Sequence, residues 1–401
     1  MVTAGGVRLG RVAGIEVLLD WSLLFIFVLI LVSLAGGVFP AWHPDWSPGL
    51  IWLTALGAAI LFFVSVLLHE LAHAVVGRRG GVTIRRITLF MFGGMAQMEN
   101  EAPSWRAELM MALAGPFTSF ALGILFAALA SAIAGPIEIN PQDPAAAFSA
   151  LGPVPSLLAW LAQVNIILAI FNLVPGFPLD GGRVLRAIMW GITGDFLAAT
   201  RRASRAGQVI AWMLMAIGFL MVLGLQVPFF GTGPVSGLWL IFIGWFLNNA
   251  AVMSYRQLIV RDSLEGVPVS RLMQTRFTRV DPDMPVATLL DEHVMASGQR
   301  AFPVEQDGRL IGMVCLRDLN KRGRDAWGAT TVREIMTPVD RLTTVSPRDE
   351  AFDVLALLGQ RDLNQLPVVD NGRLVGMIRR EDILKWLSLH TTPGQPAAAS
   401  T

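Results

Sequence analysis

A chain of 401 residues that is 54% apolar and 15% charged departs from the soluble norm of roughly 45–50% and 25%. A net charge of +1 leaves no electrostatic footprint for nucleic acid, and a single cysteine, Cys315, excludes an intramolecular disulfide framework and a cysteine-rich zinc module. The charge is also unevenly spread: 25 of the 61 charged residues precede position 262, none of them lysine, and 36 follow. This pattern predicts a membrane domain joined to a soluble one.

Six stretches, near 21–39, 49–74, 109–134, 156–174, 207–226 and 236–254, are apolar and approach or exceed the roughly 20 residues a helix needs to cross the hydrocarbon core. The first has spanning length and no obvious small-residue cleavage site, so it reads as a span and not as a signal peptide. Between the second and third lies Val82–Phe92, rich in β-formers and ending at Gly93-Gly94. It reads as a hairpin or re-entrant segment, either simply interfacial or an edge able to pair with an extended peptide. Gly115-Pro116 predicts a kink within the third span, and Pro228, Gly231, Gly233 and Pro234 a turn before the last.

Orientation follows from arginine. All 14 basic residues up to Arg261 fall at the N-terminus, at Arg78–Arg106, at Arg183–Arg205 and at Arg256–Arg261, whereas the intervening loops near 40–48, 135–155 and 227–235 have none. The positive-inside rule then makes both termini cytoplasmic in a multi-pass plasma-membrane protein.

After residue 262 short β-type runs alternate with amphipathic helices, and the pattern repeats. Pro303–Val314 aligns with Pro367–Ile378 at an offset of 64, and Asp318-Leu319 with Asp382-Ile383 in the same register. The expected boundaries are a membrane domain over 1–255, a linker over 256–268, repeat copies over 269–325 and 326–387, and a disordered tail over 388–401.

His69-Glu70-Leu71-Ala72-His73 carries the strongest chemical signal. On a helix, residues four apart share one face, so two imidazoles can grip one metal while Glu70 is placed to deprotonate a water there. A shuffled chain of this composition shows the pattern with a probability of roughly 0.002. The 23 residues from Trp46 to Leu68 are uncharged, so the cluster is more than a frayed polar helix end. A catalytic zinc takes three protein ligands, and the remaining histidines, His43, His293 and His390, are badly placed. A carboxylate is then needed, and Asp180 stands alone just past the uncharged stretch 144–179, at the same predicted depth as the histidines. Asp180 reads equally as a turn residue or helix N-cap before Arg183.

The combination resembles the site-2 protease family of intramembrane zinc metalloproteases. The resemblance rests on Leu9–Val17, the HExxH, Gly93-Gly94, Ala114-Gly115-Pro116 and Asn172–Gly182 (NxxPxxPLDGG). It implies that His69, His73 and Asp180 bind one Zn2+ per chain, with Glu70 as general base. It further implies that Asn172 positions or polarises the substrate carbonyl and that the Gly93-Gly94 loop contacts substrate. Members often have histidine before Trp-Ser, where this chain has Asp20. The repeat is similar to a tandem pair of CBS domains, which in many proteins bind adenine nucleotides. Asp318 and Asp382 match the ribose-holding position, and the usual neighbouring hydroxyl residue is replaced by Cys315 and Arg379; Arg379 could meet a phosphate.

The expected fold is therefore a six-span α-helical membrane protein with a membrane-associated hairpin or re-entrant loop, followed by a cytoplasmic α/β tandem CBS unit. The expected function is hydrolysis, near the cytoplasmic side, of a peptide bond in the transmembrane segment of a single-span, membrane-anchored regulatory protein. Control would come from the CBS pair, which offers a route to homodimers, and no nucleic acid is involved. A membrane HExxH protease of another kind would take a glutamate as third ligand, but after Glu108 the membrane half holds only Glu138, in an external loop. The rival from a different class is a CBS-gated ion or metal transporter using the His/Glu/Asp cluster as its transport site. A catalytically dead scaffold is disfavoured because all four catalytic-type residues are present.

Overall fold

Alternation of apolar and polar residues begins the described chain as a hairpin. Strands β1 (Gly6–Val12) and β2 (Ile15–Asp20) pair antiparallel about Ala13 and Gly14, both at positive φ as a two-residue turn requires. Ile15 and Val17 are fully buried and Glu16 points the other way. The computed structural model describes residues 6–390 except 92, 99, 136–145, 228–232, 297–298 and 320–322, and falls into two units, Met1–Tyr255 and Arg256–Thr401.

In the first unit, β2 pairs in parallel with β3 (Ile84–Phe90), which pairs antiparallel with β4 (Gly93–Met98). The β-type run stops at Phe90, and the two glycines expected to end it instead open the antiparallel partner strand. Glu16 ties the sheet together through Arg8 on β1 at 2.6 Å and Arg86 on β3 at 3.0 Å. The Arg86 hydrogen bond holds the Glu16 carboxyl below its ordinary value.

Among the described residues six helices are long and apolar enough to cross a membrane: α1 (Trp21–Trp42), α2 (Pro48–Arg79), α3 (Trp105–Ala134), α4 (Pro153–Asn172), and, after the short amphipathic α5 (Asp180–Thr193), α6 (Phe196–Val222) and α7 (Pro234–Leu264). Most extend beyond the apolar stretches in the sequence, because polar residues finish them: Ser47, Ser104 and Asp195 cap N-termini, and Arg78 and Arg79 lie in the last turn of α2, opposite the dipole's negative end. Asp20 has a local role as well, accepting from Ser22 N at 2.9 Å to cap α1. Pro228 and Gly231 of the expected turn lie outside the described residues.

Helix α3 is the hub, packed against α2, α4 and α5. It runs on through Pro116. Gly123 lets α4 approach: a Cβ there would lie 2.6 Å from Ile166 Cγ1 and 3.2 Å from Ala162 O. Phe25, Leu53, Phe117, Ile167 and Trp245 face outward, as lipid-contacting side chains do. The sheet instead packs Ile15, Ile84, Ile87 and Leu89 against Ala74 of α2 and Met111 of α3, at the end of α2 that carries the HExxH.

In the second unit each repeat copy contributes a hairpin: β5 (Ala301–Gln306) with β6 (Arg309–Cys315), and β8 (Gln365–Asp370) with β9 (Arg373–Arg379). Their turns, Asp307-Gly308 and Asn371-Gly372, have positive φ at both residues, so the repeat is conformational as well as sequential. The copies exchange lead segments. Gln274, ahead of the first, exchanges both backbone hydrogen bonds with Met377 of β9, and β7 (Thr337–Pro338), ahead of the second, pairs with β6. Residues 256–268, expected as a linker, are helical to Leu264, and Leu264 and Val267 are buried in the second copy's core with Leu358, Leu366 and Ile378. Two apolar side chains needing cover explain that correction. Of the expected tail, 388–390 belong to a final helix, α9 (Arg380–His390), which follows α8 (Ala351–Gln360); 391–401 lie outside the described residues.

Gly123→Val should separate α3 from α4 and cost about 1–3 kcal/mol of stability, read as a lowered thermal midpoint of the detergent-solubilised chain.

Candidate metal centre

The i, i+4 spacing on α2 sets the His69 and His73 rings on one face, their Nε2 atoms 3.1 Å apart. Asp180 meets them from across the bundle, its Oδ2 at 3.1 Å from each Nε2. The three donor atoms thus form a near-equilateral triangle. Metal–nitrogen bonds of about 2.0–2.1 Å in a tetrahedron put neighbouring donors about 3.3 Å apart, so the triangle fits a zinc-sized ion with little adjustment.

The other ring nitrogens set the tautomers. His73 Nδ1 donates to the Met111 carbonyl at 2.7 Å, and His69 Nδ1 lies 2.8 Å from the Ser119 hydroxyl. A carbonyl only accepts, so the His73 proton sits on Nδ1 and its Nε2 lone pair is left for a metal. Between these two contacts on α3 stands Gly115, where a Cβ would collide with both Nε2 atoms. Both histidines are buried.

Asp180 arrives by a tight reversal. After α4 the chain turns through Leu173–Leu179, with Gly176 N donating to Val174 O at 2.8 Å and Gly182 N to Leu179 O at 3.0 Å. Cβ atoms at Gly181 and Gly182 would strike backbone of Leu173-Val174 and Gly176-Phe177, so the two glycines after Asp180 are sterically required. Of the readings open in the sequence, the N-cap is excluded: Leu179 is the cap residue, without a side-chain bond, and Asp180 is the first helical residue with its carboxylate aimed at the histidines.

Glu70 is half-buried on the neighbouring side of α2, and its carboxylate lies against β4: a Cβ on Gly94 would run into its side chain. Gly93, at φ +124°, opens that strand. Asn172 is half-buried as the last residue of α4, at the mouth of the loop leading to Asp180. Ser119, Met111 and Gly115 as the backing of the histidines are additions to the sequence reading. The available signal was their spacing, 111, 115 and 119, one face of a single helix.

The CBS residues belong to the second unit. Asp318 Oδ2 accepts from Cys315 N at 2.8 Å and from its thiol at 2.9 Å. Burial, then the Asp318 carboxylate, pushes the Cys315 thiol above its ordinary value, so it stays protonated and donates. Asp382 is engaged more heavily: Arg379 donates from Nε at 3.0 Å and Nη2 at 2.8 Å, and Gln274 Nε2 at 3.0 Å. Arg379 is thus turned onto its own aspartate.

Comparison with known proteins decides the family. The model for Peptidase family M50 matches residues 57–132 and 128–217, and that for the CBS domain 269–324 and 332–389. Rip3 of Mycobacterium tuberculosis, which bears a zinc metalloprotease name, is 35% identical over 388 residues, 96% of this chain and 93% of its own length. The chain belongs to peptidase family M50. A zinc metalloprotease-named protein of Synechocystis, sll0528, is 31% identical over 95% of both chains. The solved site-2 protease from Methanocaldococcus jannaschii is 30% identical, covering 62% of this chain and 94% of its own, with a TM-score of 0.40. This M50 protein is a zinc metalloprotease with a CBS pair and six helices able to cross a membrane, which argues against the transporter reading. As one test of the centre, Gly115→Ala should lower bound zinc about tenfold or more, measured by metal analysis of the purified chain.

Proposed function

We propose that this protease cuts a transmembrane segment of a single-span, membrane-anchored regulatory protein near the cytoplasmic face, with His69, His73 and Asp180 as zinc ligands and Glu70 as general base. The observation that carries the assignment is the triangle of Nε2, Nε2 and Oδ2 atoms at 3.1 Å, with Glu70 beside it and Gly94 against Glu70. Zinc held there supplies Lewis acidity to the scissile carbonyl and acidifies the attacking water. Glu70 takes the proton of that water and returns it to the leaving amine. Asn172, at the end of α4, is assigned to orient the carbonyl.

A helical substrate hides its amides in its own hydrogen bonds and must open before it can be cut. Strand β4 is paired with β3 on one side, and among the described residues no strand pairs with its other edge. That edge, begun by Gly93 and Gly94 beside Glu70, suits an extended substrate segment held by backbone pairing. The arginine distribution supports cytoplasmic termini, and we assign the chain to the plasma membrane.

Glu70→Gln should keep one zinc per chain while cleavage of single-span membrane peptides falls by roughly 10²–10⁴-fold. Asp180→Asn should lose zinc on dialysis. Replacing Gly93 and Gly94 by alanine should slow cleavage with zinc retained; unchanged turnover would remove the strand-edge role. Metal uptake into proteoliposomes without any peptide cleavage would overturn the protease assignment.

We further assign control to the CBS pair, since the loops on the arginine-free side are short and offer no screening domain. An adenine nucleotide entering the second copy has to draw Arg379 away from Asp382, where the guanidinium could then meet a phosphate. Titrating ATP, ADP and AMP against the full chain, with cleavage as readout, should show a response, and Arg379→Ala should tighten ribose binding while weakening any preference for added phosphates. Absence of both binding and effect rejects nucleotide control.

A further inference from the structure

Asp180 is the only proposed ligand that does not come from α2, so something must fix the position of α5 against the histidines. The buried charges on α5 do this. Arg186, six residues beyond Asp180, donates through Nε to Glu108 Oε1 at 2.7 Å and through Nη2 to the same oxygen. Glu108 is fully buried in the first turn of α3, one turn before Met111, whose carbonyl holds His73. The Arg186 guanidinium also lies over two rings, Phe177 at 5.3 Å and Phe196 at 4.6 Å, which come from the segments entering and leaving α5. Arg183, one turn earlier, approaches Glu108 at 3.9 Å and Met98 Sδ of β4 at 3.4 Å.

The arrangement fixes both the rotation and the axial position of α5. A planar guanidinium forked onto one carboxylate and held between two rings has one orientation, and its helix turns with it. Glu108 Oε2 has no hydrogen-bond partner among the described residues, so the buried carboxylate relies on Arg186 for its hydrogen bonds, with Arg183 the second cation at 3.9 Å. Because α3 also backs His69 and His73 through Ser119 and Met111, a single helix references all three donor atoms.

We propose that Glu108 and Arg186 are positioning residues for the metal centre: their buried pair sets Asp180 against the two histidines and so sets zinc affinity. The inference rests on Asp180 being a ligand. The test uses the full chain in detergent, with zinc affinity measured by competition against a chelator for wild type, Arg186→Gln, Arg186→Lys, Glu108→Gln and Asp180→Asn, and helical content and size-exclusion profile as fold controls. Folded Arg186→Gln or Glu108→Gln should bind zinc about 10–100-fold more weakly. Arg186→Lys, which keeps the charge without the fork, should recover part of the loss, and saturating zinc should restore most of the cleavage rate. Wild-type zinc affinity in a folded Arg186→Gln or Glu108→Gln chain overturns the proposal, as does loss of fold in both, which would make the pair merely structural. Asp180→Asn separates the two levels: if its affinity is also unchanged, the ligand assignment fails; if it alone falls, only the positioning role fails.

Discussion

Polar groups at membrane depth have no water to fall back on, and the protease half is arranged around that constraint. Two imidazoles and a carboxylate converge on one point, and each histidine uses its remaining nitrogen on α3. Helix α3 serves two demands at once. Toward the histidines it offers a carbonyl, a hydroxyl and a glycine; toward α4 it offers Gly123. A bulky stripe on that face would satisfy hydropathy and destroy the site.

The third donor comes from a different kind of element. Helix α5 is short and amphipathic, unlike the spans around it, and carries its carboxylate in the first turn, where the helix dipole favours negative charge. Such a helix can bring a carboxylate against the two histidines because its loop is compressed: glycines at 176, 181 and 182 bring backbone against backbone, including Gly176 against Gly207 of α6. The specificity of the LDGG segment is therefore steric as much as chemical.

Much of this was legible in the sequence. Charge-free stretches marked the six spans because hydrocarbon excludes charge over about 20 residues, and the same scarcity isolated His69, Glu70, His73 and Asp180. Helix ends were less legible: α2 continues to Arg79 because arginines suit a C-terminus that hydropathy reads as a stop. The β1–β2 hairpin passed unread, although Ile15-Glu16-Val17 alternates, since six residues of alternation have no partner visible in sequence. The spacing 111, 115 and 119 marked one helix face, but what that face backs, like the Glu108–Arg186 pair, was out of reach for a stronger reason. They join residues 50 and 78 positions apart, and only packing brings these together.

Exchange of lead segments in the CBS pair changes what counts as a unit there. Strand β7 of the second copy joins the first copy's sheet, Gln274 of the first bridges to β9 of the second, and Leu264 and Val267 fill the second copy's core from ahead of the first. Neither copy holds its own full set of edges, so neither can melt alone without stripping its neighbour. The pair should open as a single cooperative block, and anything that loosens one hairpin redistributes the whole block between closed and open populations.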